Sequence, residues 1–392
     1  MATPEPFDAI LIGAGQAANP LARSLAHAGW KVALAERAEI GGTCVNWGCT
    51  PTKTMIASAR VAYLAGRASD YGVHLNGVVV RLHEVHRRKQ LLVQKFRSGS
   101  ERQLRETHGL TLLRGEASFT GPGVVAVTMH EGGTRHLTAP KIFINTGCRP
   151  KRPDLDGLAT VPVLDSTTVM ELVALPEHLV VLGGGYVGLE FAQMFRRFGS
   201  RVTLVHSGDQ LLRHEDADVA AAVADVLRED GIEVLLNARA VRVAAAAGAV
   251  YLTVRTPAGE RTLAGTHLLL AAGRVPNTET LNLAASGIKM DERGFVPVNE
   301  RLETNVSGVY ALGDVNGGPA FTHVAHHDNQ IVRINLLENG ARSTRDRLVP
   351  YTVFIDPELG RVGLTEQQAR AGAGDQGRQD ADGSRRPRRR GG

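Results

Sequence analysis

The side chains best suited to chemistry sit together in Gly41-Gly42-Thr43-Cys44-Val45-Asn46-Trp47-Gly48-Cys49-Thr50-Pro51-Thr52-Lys53, which holds two of the chain's three cysteines. Residues 54–60 read as the continuation of a helix that starts near Cys49. At a helix N-terminus the unpaired N–H groups and the dipole favour negative charge, so a thiolate there is stabilised. Two thiols this close in sequence can open and close a disulfide and exchange it with an outside sulfur. A buried structural pair is the competing use of the same residues; the paired glycines before Cys44 and the Pro51-Thr52-Lys53 after Cys49 favour the redox one. Cys148 follows an apolar strand, has no sequence neighbour to pair with, and is assigned a structural role.

A chain of 392 residues exceeds one ordinary core and predicts two or three domains. No apolar run of about 18 residues occurs, and residues 1–8 are polar and proline-containing, unlike a signal peptide. A soluble cytoplasmic protein with no membrane partner is expected, and in a reducing compartment a disulfide-forming pair is more often catalytic than structural. The net charge of +5 concentrates at the end, where residues 372–392 carry six arginines against three aspartates. Neither that tail nor the basic residues of the helical stretch 82–106, read as a solvated face, predicts a nucleic-acid partner.

The elements that must position the cysteines are legible next. Residues 7–12 form an apolar run entering Gly13-Ala14-Gly15-Gln16-Ala17-Ala18, after which Leu21, Leu25 and Ala28 keep helical spacing. Strand, glycine turn and helix is the setting in which a dinucleotide pyrophosphate rests on backbone N–H groups, with Gly13, Gly15 and Ala18 as the fingerprint positions. The next strand, residues 31–35, ends at Glu36, whose carboxylate is placed for ribose hydroxyls. The device recurs where residues 178–182 run into Gly183-Gly184-Gly185-Tyr186-Val187-Gly188-Leu189-Glu190. Gly183, Gly185 and Gly188 complete a second fingerprint, and two fingerprints predict two dinucleotides. The strand after it ends at His206 instead of an acid, with Arg213 beyond, which favours NADPH over NADH.

These stretches, in this order, resemble the pyridine nucleotide-disulfide oxidoreductases, the family of glutathione reductase, dihydrolipoamide dehydrogenase and mercuric reductase, over roughly residues 6–370. Thr50-Pro51-Thr52-Lys53 is most similar to the mercuric reductase-like branch. The fold this implies is α/β: two Rossmann-like dinucleotide-binding domains, for FAD and NAD(P), plus a remnant of an α+β interface domain. The expected boundaries are residues 1–150 and 277–345 for the two parts of the FAD domain and 151–276 for the NAD(P) domain. Residues 346–371 are then a truncated dimerisation domain and 372–392 a disordered basic tail.

By the resemblance, Cys49 lies against the flavin as the charge-transfer thiolate, Cys44 exchanges with substrate, and Lys53 pairs with Glu190 beside the flavin. Gly42, Thr43, Gly115, Thr146, Gly147 and Gly313 match further FAD positions, Asp314 the residue that holds the ribityl chain, and Thr322 with His323 the flavin edge. Gly273 and Arg274 match the exit from the nucleotide domain. The implied activity passes hydride from NAD(P)H through FAD to the Cys44–Cys49 disulfide, by way of a Cys49 adduct. Electrons then go to an acceptor: a thiol or disulfide, a metal ion or a quinone. Dihydrolipoamide dehydrogenase using NAD is the competing enzyme reading, and an FAD-binding protein with little turnover is the reading of another class. His323, His326 and His327 lack acid or cysteine companions in sequence, so no resident metal is expected.

Residues 349–366 resemble the opening of the interface domain through which family members form homodimers. Beyond Ala371 no Leu, Ile, Val, Met or aromatic residue occurs, so that stretch is expected to be disordered. Its bias suggests, as a hypothesis, a frameshift or early stop, which an intact reading frame through the codons for residues 365–375 would refute. In the family the partner subunit supplies a His backed by a Glu that protonates the leaving thiol, and the mercuric reductase branch adds a C-terminal cysteine pair. The last histidine here is His327 and the last cysteine Cys148. The resemblance therefore carries neither that base nor activity on mercuric ion to this chain.

Overall fold

The strands that read as unbroken apolar runs are those buried on both faces. In the computed structural model, which describes residues 3–345 and 347–375, they form the centre of an eight-stranded sheet. Its order is Glu5–Pro6, Thr134–Thr138, Val124–Met129, Leu110–Gly121, Val32–Glu36, Ala9–Ile12, Lys141–Ile144, Val309–Ala311. From Leu110–Gly121 onward the neighbours pair in parallel, which is why hydrophobic residues do not alternate with polar ones there. Leu110–Gly121 changes partner half-way, pairing parallel to Val32–Glu36 and then antiparallel to Val124–Met129. The change falls at Gly115, where a Cβ would lie 2.3 Å from the Thr128 carbonyl oxygen, so only glycine lets the two backbones pass.

A second, four-stranded parallel sheet has the order Glu233–Leu235, Arg201–Val205, His178–Leu182, His267–Leu270. An antiparallel meander of Arg239–Ala246, Ala249–Thr256 and Gly259–Gly265 packs on it through Val180, Leu182, Leu252 and Val254. The chain leaves the first sheet and returns to it through a two-stranded ribbon, Cys148–Pro150 against Arg274–Pro276.

The helices are α1 (Ala18–His27), α2 (Gly42–Asn46), α3 (Cys49–Gly66), α4 (Leu82–Glu106), α5 (Tyr186–Phe198), α6 (Ala217–Glu229), α7 (Thr322–Leu337) and α8 (Glu366–Asp375). On α1 Leu21 and Leu25 are buried as their spacing predicts, while Ala28 is exposed at the C-cap. On α4 burial does not follow residue type. Leu91 and Phe96 are exposed, and Lys89, expected on a solvated face, is only 1% exposed. Its ammonium donates to Glu171 Oε1 at 2.7 Å and the Met170 carbonyl at 2.8 Å, so the buried charge is paired.

Residues 372–375, expected in the disordered tail, continue α8. Asp216 caps that helix, accepting from the N–H groups of Glu366 at 2.8 Å and Gln367 at 3.1 Å. The remainder of the expected tail lies outside the described residues. Tyr351–Val353 and Leu359–Arg361 form a small antiparallel pair, and Val353 and Ile355 sit in one core with residues of α3 and α5.

Candidate active site

Gly41 and Gly42 adopt the left-handed φ values +101° and +63°, which a side chain would strain. A Cβ on Gly42 would stand 2.8 Å from Gly15 Cα, so the paired glycines let the cysteine segment lie directly on the first glycine turn. Gly48 precedes α3, and its missing side chain is explained too: a Cβ there would meet the Thr43 carbonyl oxygen at 3.0 Å. Cys44 thus lies within α2 and Cys49 opens α3. Asn46, which sequence reading passes over, clamps this bend. Its Nδ2 donates to the carbonyls of Ile40 at 3.0 Å and Gly42 at 2.9 Å, and its Oδ1 accepts from Arg97 Nε at 2.7 Å.

Both thiols are free and face one another across the bend. The hydrogen bond from Cys44 is the main cause that holds Cys49 down to about 6. Burial opposes it, while the Thr322 hydroxyl, 3.1 Å from Cys49 Sγ, and the charge of Lys53 add to it. Cys44 is pushed above the usual thiol range, first by the same contact and then by burial. The pair therefore loses its first proton from Cys49.

The cysteines stand in a cavity of about 920 Å³, at the upper end of what small-molecule sites occupy. Gly13, Gly15, Gly42 and Thr43 line it on the side of the first glycine turn, together with Glu36. Glu36 Oε2 accepts from the Ala14 N–H at 2.6 Å and Oε1 from Ala38 at 2.7 Å, fixing the carboxylate at the strand end. Gly115, Thr146 and Gly147 line the floor, and Gly313, Asp314, Arg274 and Thr322 a further wall. Thr146 Oγ1 is buried without a hydrogen-bond partner among the described residues, and burial raises Asp314 above the usual carboxylate range. Turn N–H donors, a fixed carboxylate, an orphaned hydroxyl and a confined acid are the fittings a ribose, a pyrophosphate and a ribityl chain require. These residues fit FAD. Ala18 does not line the cavity; it is buried as the first residue of α1.

Lys53 and Glu190 meet at the cysteine end, with Nζ 2.7 Å from Oε2 and side-chain exposures of 33% and 5%. Glu190 Oε1 accepts from the Phe354 N–H at 3.0 Å, and Lys53 Nζ stands 4.5 Å from the centre of the Phe354 ring. The segment carrying Phe354 is held on α5. Gln193 and Asp356 exchange two hydrogen bonds at 2.8 and 3.0 Å, and Arg197 bridges Asp356 and Asp230. Tyr351, stacked 5.4 Å from Phe321, and Arg361 complete the wall. Sequence reading names none of Asn46, Tyr351, Phe354 or Arg361 as site residues. Only the resemblance of their segment to a domain opening hints at the last three.

Gly183, Gly185 and Gly188 form the turn into α5 and lie outside this cavity's lining, as do His206, Arg213 and Gly273. A Cβ on Gly188 would come within 2.0 Å of the Gly183 carbonyl oxygen. His206 Nδ1 accepts from the Gly184 N–H at 3.2 Å. The contact repeats that of Glu36 with Ala14, the two residues being 22 apart in each case. Burial holds His206 below its usual value, so a neutral imidazole stands where the first turn has a carboxylate. The exposed Arg213 follows Leu212, whose N–H donates to the Gly184 carbonyl at 3.0 Å and so ties the Arg213 loop to the turn.

Two glycine turns, each feeding a parallel sheet, and a thiol pair beside the first of them define a flavin- and pyridine nucleotide-dependent disulfide oxidoreductase. The family model for pyridine nucleotide-disulphide oxidoreductases matches residues 7–328, and the chain belongs to that family. The probable pyridine nucleotide-disulfide oxidoreductase RclA of Escherichia coli is 40% identical over 373 residues, 94% of this chain and 80% of that protein. A mercuric reductase of Staphylococcus aureus is 35% identical, over 93% of this chain and 66% of its own length. The solved structure of the HOCl-induced flavoprotein disulfide reductase RclA from Escherichia coli superposes with a TM-score of 0.83 at 39% identity, covering 93% of this chain and 79% of that one. Its Cu(II) complex gives 0.85. No helix among the described residues is long and apolar enough to cross a membrane.

Proposed function

We propose that this chain is an NADPH-dependent disulfide reductase whose working sulfurs are Cys44 and Cys49. The observation that carries the reading is the thiol pair lining a cavity that also includes the first glycine turn, with the Thr322 hydroxyl on Cys49 and the charge of Lys53 acting on it. FAD, held by the first turn, Glu36, Thr146 and Asp314, would supply the two-electron relay between nicotinamide and sulfur. Lys53, oriented by Glu190, places positive charge at the same end. Cys49 is the ionised sulfur of the resting dithiol. Cys44 holds the shared proton and exchanges with the acceptor: it attacks one acceptor sulfur, passing its proton to Cys49 as the other acceptor sulfur leaves as thiolate. That thiolate recovers the proton, and Cys49 then displaces the second half from the mixed disulfide, closing the Cys44–Cys49 bond.

NADPH is favoured over NADH because the neutral His206 offers a 2′-phosphate no repulsion and Arg213 offers it a cation. Among the described residues no histidine is hydrogen-bonded to either thiol, which supports a second reading, a flavin-binding protein with slow exchange. The family is homodimeric by resemblance, and a partner's base would remove that limit.

Anaerobic addition of NADPH to the flavin-loaded protein is expected to produce the long-wavelength absorption of a thiolate beside oxidised flavin, and NADH to produce it less readily. The band is expected to vanish in Cys49→Ser and survive in Cys44→Ser. Its persistence in Cys49→Ser would overturn the assignment.

A further inference from the structure

Directly before Arg213, Leu212 adopts a left-handed backbone with φ +48°, a conformation a bulky residue keeps only where its surroundings fix it. Part of that fixing belongs to the second glycine turn. The Leu212 N–H donates to the Gly184 carbonyl at 3.0 Å, and a Cβ built on Gly184 would meet the Leu211 side chain at 2.7 Å. The rest comes from beyond Arg213. The Glu215 N–H closes the bend by donating to the Leu212 carbonyl at 2.8 Å, and Gln210 Nε2 donates to the Glu215 carbonyl at 3.0 Å.

The three residues after Arg213 are each tied to the segment at residues 361–367. Arg361 Nη1 donates to the His214 carbonyl at 3.0 Å and to Glu215 Oε1 at 3.1 Å. The Arg361 and Glu215 side chains are 17% and 6% exposed, so the ion pair is largely shielded from water. Asp216 precedes α6 but its side chain does not cap that helix. Its two oxygens accept instead from the Glu366 and Gln367 N–H groups at the start of α8. Arg361 is itself aimed, since Nη2 donates to Gln368 Oε1 at 3.0 Å. The same side chain lines the redox cavity, with Nη1 3.4 Å from the Tyr351 hydroxyl. Without Arg361, Glu215 would lose the cation that pairs it, two positions from Arg213, where a bare carboxylate draws the guanidinium to itself and repels a phosphate.

We propose that Arg361 is a positioning residue for coenzyme selectivity: together with Asp216 it fixes the loop so that Arg213 meets the 2′-phosphate of NADPH. The proposal rests on the reading of Arg213 as the cation for that phosphate. It gives residues 361–367 a share in a nucleotide site otherwise built on the second sheet.

The test uses flavin-loaded full-length protein and two ligands that lack nicotinamide, adenosine 2′,5′-bisphosphate and adenosine 5′-monophosphate, so that the place of Arg361 in the redox cavity does not enter. Calorimetric titration is expected to show wild type preferring the bisphosphate and Arg213→Gln losing that preference. In Arg361→Gln the ratio of the two dissociation constants is expected to shift about tenfold toward the monophosphate, with monophosphate binding and flavin content unchanged, and Arg361→Lys is expected to recover most of the shift. Asp216→Ala, at a residue outside the redox cavity's lining, is expected to shift the ratio in the same direction. It decides the matter if Arg361→Gln loses flavin because Glu215 is left buried without its partner. A wild-type ratio in either variant that retains its flavin overturns the positioning role, as does an equal weakening of both nucleotides. Loss of flavin in both variants overturns it too, because the segment then supports the fold and not the loop. If wild type shows no preference, or Arg213→Gln keeps it, the reading of Arg213 fails and the role of Arg361 falls with it.

Discussion

Cys44 and Cys49 are the same residue type in two settings, and the difference between them is electrostatic. Cys49 begins α3, takes a hydrogen bond from Cys44 and lies near Lys53, so its proton is the one that leaves. Its thiolate predominates above about pH 6 and is lost as pH falls through that value. Iodoacetamide labelling of the reduced, flavin-free protein is accordingly expected to climb through about pH 6 at Cys49. Thr322→Val is expected to move the Cys49 midpoint upward, because a supporting hydrogen bond to the thiolate is gone. Peptide mapping by mass spectrometry reads both outcomes, and Cys49 labelling that does not climb through about pH 6 would contradict its assignment as the ionised sulfur. At this scale the sequence is informative about residue types. Cysteines, glycines and a lysine at those spacings have few other uses. It is silent on Asn46, whose side-chain hydrogen bonds hold the bend, because an asparagine amide has many possible partners and only folding selects them.

Elements are legible where one physical rule dominates. The all-buried strands, the glycine turns and the start of α3 follow from apolar runs and backbone permissiveness, and they emerge as read. The face of α4 does not, because periodicity records where apolar residues fall and not which neighbour arrives. Lys89 is buried there because Glu171 and the Met170 carbonyl receive its ammonium. The turn into α5 is the tightest of these packings. With the Gly183 carbonyl oxygen 2.0 Å from a Cβ built on Gly188, Gly188→Ala must push the helix off the turn. NADPH binding is expected to weaken by about tenfold or more, with flavin content, assigned to the other turn, retained. Fluorescence titration with NADPH and flavin absorbance measure the two separately, and equal loss of both would show that the turns are not independent.

Over the whole molecule, Glu190 is where three parts meet: Lys53 from α3, its own helix α5, and the Phe354 N–H from the segment after residue 348. Removing the carboxylate leaves a cation without its partner and a backbone donor unsatisfied. Lys53 keeps a third of its side chain exposed, which moderates the cost relative to a fully buried pair. Glu190→Ala is expected to lower the unfolding free energy by about 2 kcal/mol, and Glu190→Gln, which keeps a hydrogen bond to Phe354, by less. Urea unfolding of the flavin-free protein measures both, and an unchanged midpoint in Glu190→Ala would remove the joint from the account.

The sequence alone determined the buried strands of both sheets, the two glycine turns and the thiol pair, because each rests on a local rule: buried strands are apolar, tight turns need glycine, and a helix start stabilises a thiolate. Tertiary structure decided which groups face those parts. Lys53 met Glu190, His206 took up at the second turn the contact that Glu36 makes at the first, and Tyr351, Phe354 and Arg361 closed the cavity. Those are contacts between residues far apart in the chain, and their partners are chosen by packing that no local pattern encodes.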